Sequence, residues 1–195
     1  MKKKQASRRL IVIGASVGGP ATILSLIREL PESTPGIIIV QHLCKGFAAH
    51  MADYLDTYCA MKVKEARNGE MVLSGTVYLA GGDRHLKVVK RGGIYYLTYE
   101  DGARINGVRP AVDVLFSSAA CAGADAMGII LTGFGKDGAQ GLLDMRRAGA
   151  YTIVQRAESC ASSSMPTEAK KTGGAQMELA PHKITACMVL FSEQP

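Results

Sequence analysis

The sequence predicts an α/β fold: a doubly wound, mainly parallel sheet with helices on both faces and a small antiparallel β-hairpin insert. Three observations carry this expectation. Short apolar runs such as Leu10-Ile11-Val12-Ile13, Ile37-Ile38-Ile39-Val40 and Met127-Gly128-Ile129-Ile130-Leu131 recur along the chain, as buried strands require. Amphipathic helical stretches separate them, the alternation that builds parallel βαβ units. In the middle of the chain the pattern changes to strand-like runs broken by Gly81-Gly82 and Gly92-Gly93.

Taken in order, the first strand ends at Ile13, and Pro20 suits the first turn of a helix through about Glu29, with Ile23, Leu24, Ile27 and Leu30 on one face. The second strand is Ile37 to Val40, followed by a helix from about Phe47 to Tyr58. Val77-Tyr78-Leu79-Ala80, Leu86-Lys87-Val88-Val89 and Ile94-Tyr95-Tyr96-Leu97 read together as the antiparallel insert, with at least one hairpin. After Arg109-Pro110 the α/β pattern resumes with a helix from about Val112 to Ala122 and a strand from Met127 to Leu131. Thr132 to Gly138 forms the next turn, Leu142, Leu143 and Met145 lie on the helix after it, and Tyr151-Thr152-Ile153-Val154 is another strand. Ser159 to Ser164 is small and polar and reads as a surface loop, and a closing helix runs from about His182 to Leu190.

With 195 residues and 47% hydrophobic content, the chain suits one well-buried domain. Residues 10–195 are read as that domain, with no receiver domain, and residues 1–9 as a basic tail. No apolar run reaches the roughly 18 residues of a membrane span, and the first residues lead into no signal-peptide core, so a cytoplasmic protein without membrane insertion is expected. Cys44, Cys59, Cys121, Cys160 and Cys187 are widely spaced and lack C-x-x-C pairing, which points to reduced, mostly buried thiols. No metal or other cofactor is expected. The net charge of +6 includes Lys2, Lys3, Lys4, Arg8 and Arg9, a run read as solvated and not as a nucleic-acid site.

Ser16 stands in Gly14-Ala15-Ser16-Val17-Gly18, directly after the first strand. This fits G-x-S-x-G, where the flanking glycines permit a sharp strand-to-helix turn that presents a nucleophile. The same spacing also suits a phosphate-cradling turn or structural punctuation. A dinucleotide site is disfavoured, because Ser16 occupies a glycine position of that fingerprint and the second strand runs into Gln41-His42 without a carboxylate. A nucleophilic serine needs an imidazole to take its proton and a carboxylate to orient that imidazole. His42 and Asp137 each lie just beyond a strand end, where ligands of open α/β sheets bind. Each has a structural alternative: His42 as a loop bridge, Asp137 as the N-cap of the helix beginning near Gly138. His50, His85 and His182 fall at positions less suited to a site.

Gly14-Ala15-Ser16-x-Gly18-Gly19, Gln41-His42, Arg109-Pro110-x-Val112-Asp113-Val114-Leu115-Phe116 and Leu131-Thr132-Gly133-x-Gly135-x-Asp137-Gly138, in this order and spacing, resemble the catalytic domain of the chemotaxis protein-glutamate methylesterases, the CheB type. The resemblance runs from about Leu10 to the C-terminus and continues through Met165-Pro166-x-Glu168-Ala169. It implies a Ser16, His42, Asp137 triad that hydrolyses glutamate γ-methyl esters on the cytoplasmic helices of methylated chemoreceptors, with glutamine deamidation in some members. It implies backbone N–H groups near Val17 and Phe134 as oxyanion donors, although members usually carry Thr and Met there. Members usually bear an N-terminal receiver domain, so the chain is read either as an excised catalytic domain or as a free-standing esterase that is constitutively active or regulated in trans by a separate protein. Arg109 is read either as a contact to the acidic receptor or substrate backbone or as a surface ion-pair partner. The alternatives to the esterase are a receptor-binding module of the same fold with weak or no catalysis, and a phosphate-binding α/β domain.

Overall fold

The computed structural model describes residues 5–193, and among them it places nine strands and six α-helices. The first half contains β1 (Leu10–Ala15), α1 (Gly19–Ile27), β2 (Gly36–Gln41), α2 (Phe47–Asp56), β3 (Lys62–Glu65) and β4 (Thr76–Leu79). Then come β5 (His85–Arg91), β6 (Ile94–Glu100), α3 (Val112–Ala119), β7 (Ala126–Ile130) and α4 (Ala139–Arg147). The chain finishes through β8 (Tyr151–Gln155), α5 (Ser164–Lys171), β9 (Met177–Leu179) and α6 (Pro181–Glu193).

Seven strands form one parallel sheet in the order β3-β4-β2-β1-β7-β8-β9. Because side chains alternate across a strand, each central strand feeds two cores. Ile11, Ile13, Ile37 and Ile39 face the layer containing α1, α2 and α6, with Leu26, Leu55 and Met188 among their neighbours. Leu10, Val12, Ile38 and Val40 face the other layer, with Phe116 of α3, Leu142 of α4 and Met165 of α5. Strand order grows outward from β1 through β2 on one side and through β7 on the other, so the topological switch point lies between β1 and β7. Ligands of open α/β sheets bind outside the carboxyl ends of the strands at such a point.

The doubly wound fold is the one expected, with three differences in its elements. Val77 to Leu79 belongs to the main sheet, where β4 pairs in parallel with β2 and β3, and only β5 and β6 form the antiparallel insert. Their turn is Gly92-Gly93, both with positive φ, the conformation that suits the twist of a tight hairpin. The hairpin buries Leu86, Val88, Tyr95 and Leu97 with α3, and Val88 N–H donates to Ser118 Oγ at 3.0 Å. Secondly, β3, β9 and α5 were not expected from the sequence. β3 is a charged edge strand whose Val63 alone is buried, a pattern that discourages further strand pairing and leaves almost no apolar signal. Thirdly, of the basic tail, Lys2 to Lys4 lie outside the described residues, while the rest is tied to the body: Ser7 is buried, its N–H donates to Val72 O at 2.8 Å, and Arg9 stacks on Phe191.

The cysteines also depart from expectation, since Cys44 and Cys121 are exposed and the other three are half-buried. Their small size lets them occupy polar loop positions and helix flanks as readily as core sites. Among the described residues, no helix is long and apolar enough to cross a membrane.

Candidate active site

Ser16 and His42 are neighbours because their strands are. Ala15 and Gln41 are register partners in β1 and β2, and His42 N–H donates to Ala15 O at 3.0 Å. The two residues therefore leave adjacent parallel strands, roughly 4.8 Å apart, at the same level of the sheet. Both are half-buried. Behind Ser16 the chain turns into α1 through Gly18, whose φ of +79° is left-handed and whose absent Cβ leaves room for Ala161 Cβ at 2.6 Å. This is the physical reason for the second glycine of the motif.

Asp137 arrives from the loop after β7, on the other side of β1. Its side chain is 3% exposed, and its Oδ2 accepts from His42 Nε2 at 2.9 Å. The same oxygen accepts from Val112 N–H at 2.6 Å, and Oδ1 accepts from Asp113 N–H at 3.2 Å. Asp137 thus caps a helix, but it is α3, whose own N-cap Ala111 has no side chain able to do so. The helix after it, α4, has Gly138 at its N-cap and no side-chain cap. Burial pushes the Asp137 carboxyl up, but hydrogen bonds from His42, Val112 and Asp113 outweigh that and hold it below its ordinary pKa. A buried carboxylate, ionised and fixed by backbone donors, is what an imidazole partner requires.

Three polar residues outside the expected triad hold this arrangement. Gln41 is buried and its Nε2 donates to Ser16 O at 2.8 Å and to His42 O at 3.0 Å, fastening the two strand ends together. Asn106 has φ +53°, and its Nδ2 donates to Asp137 Oδ1 at 3.1 Å and to Asp113 Oδ2 at 2.7 Å. It clamps two adjacent carboxylates, and burial raises the Asp113 carboxyl above its ordinary pKa. Its signal was the Asn106-Gly107 pair, a tight-turn dipeptide that here bends the chain between Ile105 and Val108. Thr132 Oγ1 donates to Val17 O at 2.9 Å and accepts from Ser162 N–H at 3.1 Å, while Gly133 N–H donates to Ser162 O at 2.9 Å. The Ser159 to Ser164 loop therefore braces the turn beside Ser16.

Val17 and Phe134 are 55% and 75% exposed, and among the described residues their N–H groups have no protein acceptor. Among the described residues the Ser16 hydroxyl likewise makes no hydrogen bond, so the contact from Ser16 to His42 is not closed in this structure. Loose nucleophile-to-base contacts are common before substrate binds. Arg109 lies in the cleft next to His42, and its Nε donates to Asp83 Oδ1 at 3.0 Å while Nη1 donates to Gly102 O. Its two readings thus meet in one position: a cleft residue whose fork is already engaged. His85 is structural: it is buried, accepts from Ala111 N–H through Nδ1 and donates to Ala103 O through Nε2.

A family model described as CheB methylesterase matches residues 11–188. The protein-glutamate methylesterase/protein-glutamine glutaminase of Chromohalobacter salexigens is 45% identical over 96% of this chain and 53% of its own length. A protein of the same name from Ralstonia nicotianae is 48% identical over 92% of this chain and 47% of its own length. The chain spans about half the length of the curated relatives it matches. The crystal structure of the Thermotoga maritima CheB methylesterase catalytic domain superposes with a TM-score of 0.91 at 36% identity, covering 93% of this chain and 97% of that one.

Proposed function

This chain belongs to the CheB methylesterase family, and we propose that it hydrolyses glutamate γ-methyl esters on the cytoplasmic helices of chemoreceptors, releasing methanol. The observation that carries the reading is the 2.9 Å bond from His42 Nε2 to the buried Asp137 carboxylate, at the strand end beside Ser16. Nε2 is engaged there, so Nδ1 is the ring nitrogen that takes the Ser16 proton. Ser16 Oγ attacks the ester carbonyl, and the developing oxyanion is held by the N–H groups of Val17 and Phe134, each worth about 3–4 kcal/mol by the usual measure of such donors. The imidazolium, stabilised by Asp137, then protonates the departing methoxide. Water attacks the resulting acyl-enzyme with His42 as base, and the receptor glutamate and Ser16 hydroxyl are regenerated. Exchanging methoxide for ammonia as leaving group makes the same machinery a glutamine deamidase, the second activity in the relatives' names.

The test is methanol release from a methylated chemoreceptor cytoplasmic fragment, together with labelling of Ser16 by an organophosphate. Stoichiometric labelling and methanol release are expected. A folded chain that gives neither is a binding module, and the esterase reading is then wrong.

Gly133→Ala provides a structural check on the same site. A Cβ at Gly133 would lie 2.9 Å from Ser16 Cβ, 3.0 Å from Ser16 N and 2.2 Å from Met165 Sδ. The methionine end can yield, but the Ser16 backbone is fixed by its N–H bond to Thr132 O. The variant is expected to lose about 1–3 kcal/mol of stability, the usual range for overpacking. Its kcat should fall about tenfold or more, because small displacements of a nucleophile are costly. Thermal denaturation and steady-state kinetics on one preparation read both effects.

A further inference from the structure

A cleft of about 290 Å³ opens beside His42, and its walls carry an excess of positive charge: Lys45, Arg104 and Arg109 against Asp83. Arg109 is balanced by Asp83 at 3.0 Å. Among the described residues Lys45 and Arg104 form no ion pair, and Arg104 reaches only Gly107 O, at 3.5 Å. Both are exposed on the cleft wall. The Asp83 carboxyl is held below its ordinary pKa by its hydrogen bond from Arg109 first, with Lys45 and Arg104 adding to the effect. All three cations therefore act on one small volume that adjoins the imidazole.

We propose that this cleft binds a carboxylate side chain of the substrate protein, on the same helix face as the ester, with Lys45 and Arg104 as its ligands. The proposal rests on the esterase reading and adds to it a rule of specificity: an ester flanked by acidic residues is preferred over one flanked by neutral ones. A guanidinium fork and an ammonium are the side chains suited to a carboxylate, and Arg109 and Asp83, paired with each other, line the same cleft. A substrate helix places residues three or four apart on one face, so the ester and its acidic neighbour can meet His42 and the cleft together. One consequence follows from the reaction itself. Hydrolysis converts a neutral ester to a carboxylate, so each turnover creates the group that the cleft recognises. A second ester on the same face should react faster once the first has been hydrolysed.

The experiment uses two fluorescent helical peptides, each with a single glutamyl γ-methyl ester. They differ in carrying Glu or Gln four residues to either side. Affinity is measured by anisotropy at low salt, with Ser16→Ala protein so that nothing turns over. The Glu peptide is expected to bind about tenfold more tightly, in line with charge-assisted hydrogen bonds. Raised salt should shrink the ratio, and adding Lys45→Ala and Arg104→Ala should bring it near unity. Because the readout is a ratio between two peptides, a general loss of folded protein does not imitate the result. Equal affinities in the parent, or a ratio that survives removal of both cations, would overturn the proposal. Organophosphate labelling of wild-type Ser16 reports the triad separately, so failure of the esterase reading is not confused with failure of the cleft.

Discussion

Ser16→Ala is expected to abolish methanol release, with kcat reduced by about 10⁴-fold or more, while leaving stability unchanged. Both halves follow from the position of the hydroxyl. Chemically, Ser16 supplies the attacking oxygen in the proposed mechanism, so what should survive is the contribution of binding and oxyanion donors, about 10³–10⁴-fold over water in enzymes of this design. Structurally, the Ser16 hydroxyl has no hydrogen-bond partner among the described residues, so its loss leaves no buried group unsatisfied. The backbone of Ser16 is instead held by its N–H to Thr132 O at 3.0 Å and by Gln41 Nε2 on its carbonyl at 2.8 Å, and alanine keeps both. Urea denaturation alongside product assay checks the pair of outcomes. A large loss of stability would mean that the serine serves the fold and not the chemistry. Residual turnover near the wild-type rate would move the nucleophile elsewhere.

How far the sequence reveals this site depends on whether the signal is local. Ser16, His42 and Asp137 are legible because each follows a strand-like apolar run, and strand ends converge in a parallel sheet whatever the details of packing. Asn106 carries no such signal, and although Gln41 follows the second run, the roles of both consist of bonds to Ser16, His42, Asp113 and Asp137 that only tertiary structure brings within reach. The same limit explains the strand Thr76–Leu79. Its apolar run announces a strand, but not that it pairs with β2 rather than with the hairpin next in sequence. Ser159 to Ser164 illustrates the converse. Its polar composition suggests solvent, and Ser162 and Ser164 also hydrogen-bond to Thr132, Gly133 and Gly135 beside Ser16. None of its residues is buried, as a surface loop requires, and its polarity also serves backbone groups that need partners.

Asp137→Asn should contrast with Ser16→Ala by damaging both rate and stability. The carboxylate accepts from His42, Val112 N–H, Asp113 N–H and Asn106. An asparagine offers one oxygen and an amide that donates, so one set of these donors faces another donor. If the oxygen stays on Val112 and His42, the amide confronts Asp113 N–H and Asn106. If it turns, the imidazole loses its acceptor and adopts the wrong tautomer. Loss of imidazole orientation costs about 10⁴-fold in kcat in a comparable triad, and an unsatisfied buried donor costs about 1–3 kcal/mol. Loss of a negative charge at the N-terminus of α3 adds to the destabilisation.

The sign of the pH dependence follows from the depressed pKa of Asp137. A carboxyl whose folded pKa lies below its unfolded one contributes stability above the unfolded value and loses it as pH falls through the folded value. The stability difference between wild type and Asp137→Asn should therefore be constant near neutrality and shrink only in acid, below the ordinary carboxylate range. Urea titrations of both proteins across that range would show it. A difference that did not change with pH would mean that the aspartate acts through shape alone, and its charge would then have no part in holding the imidazole.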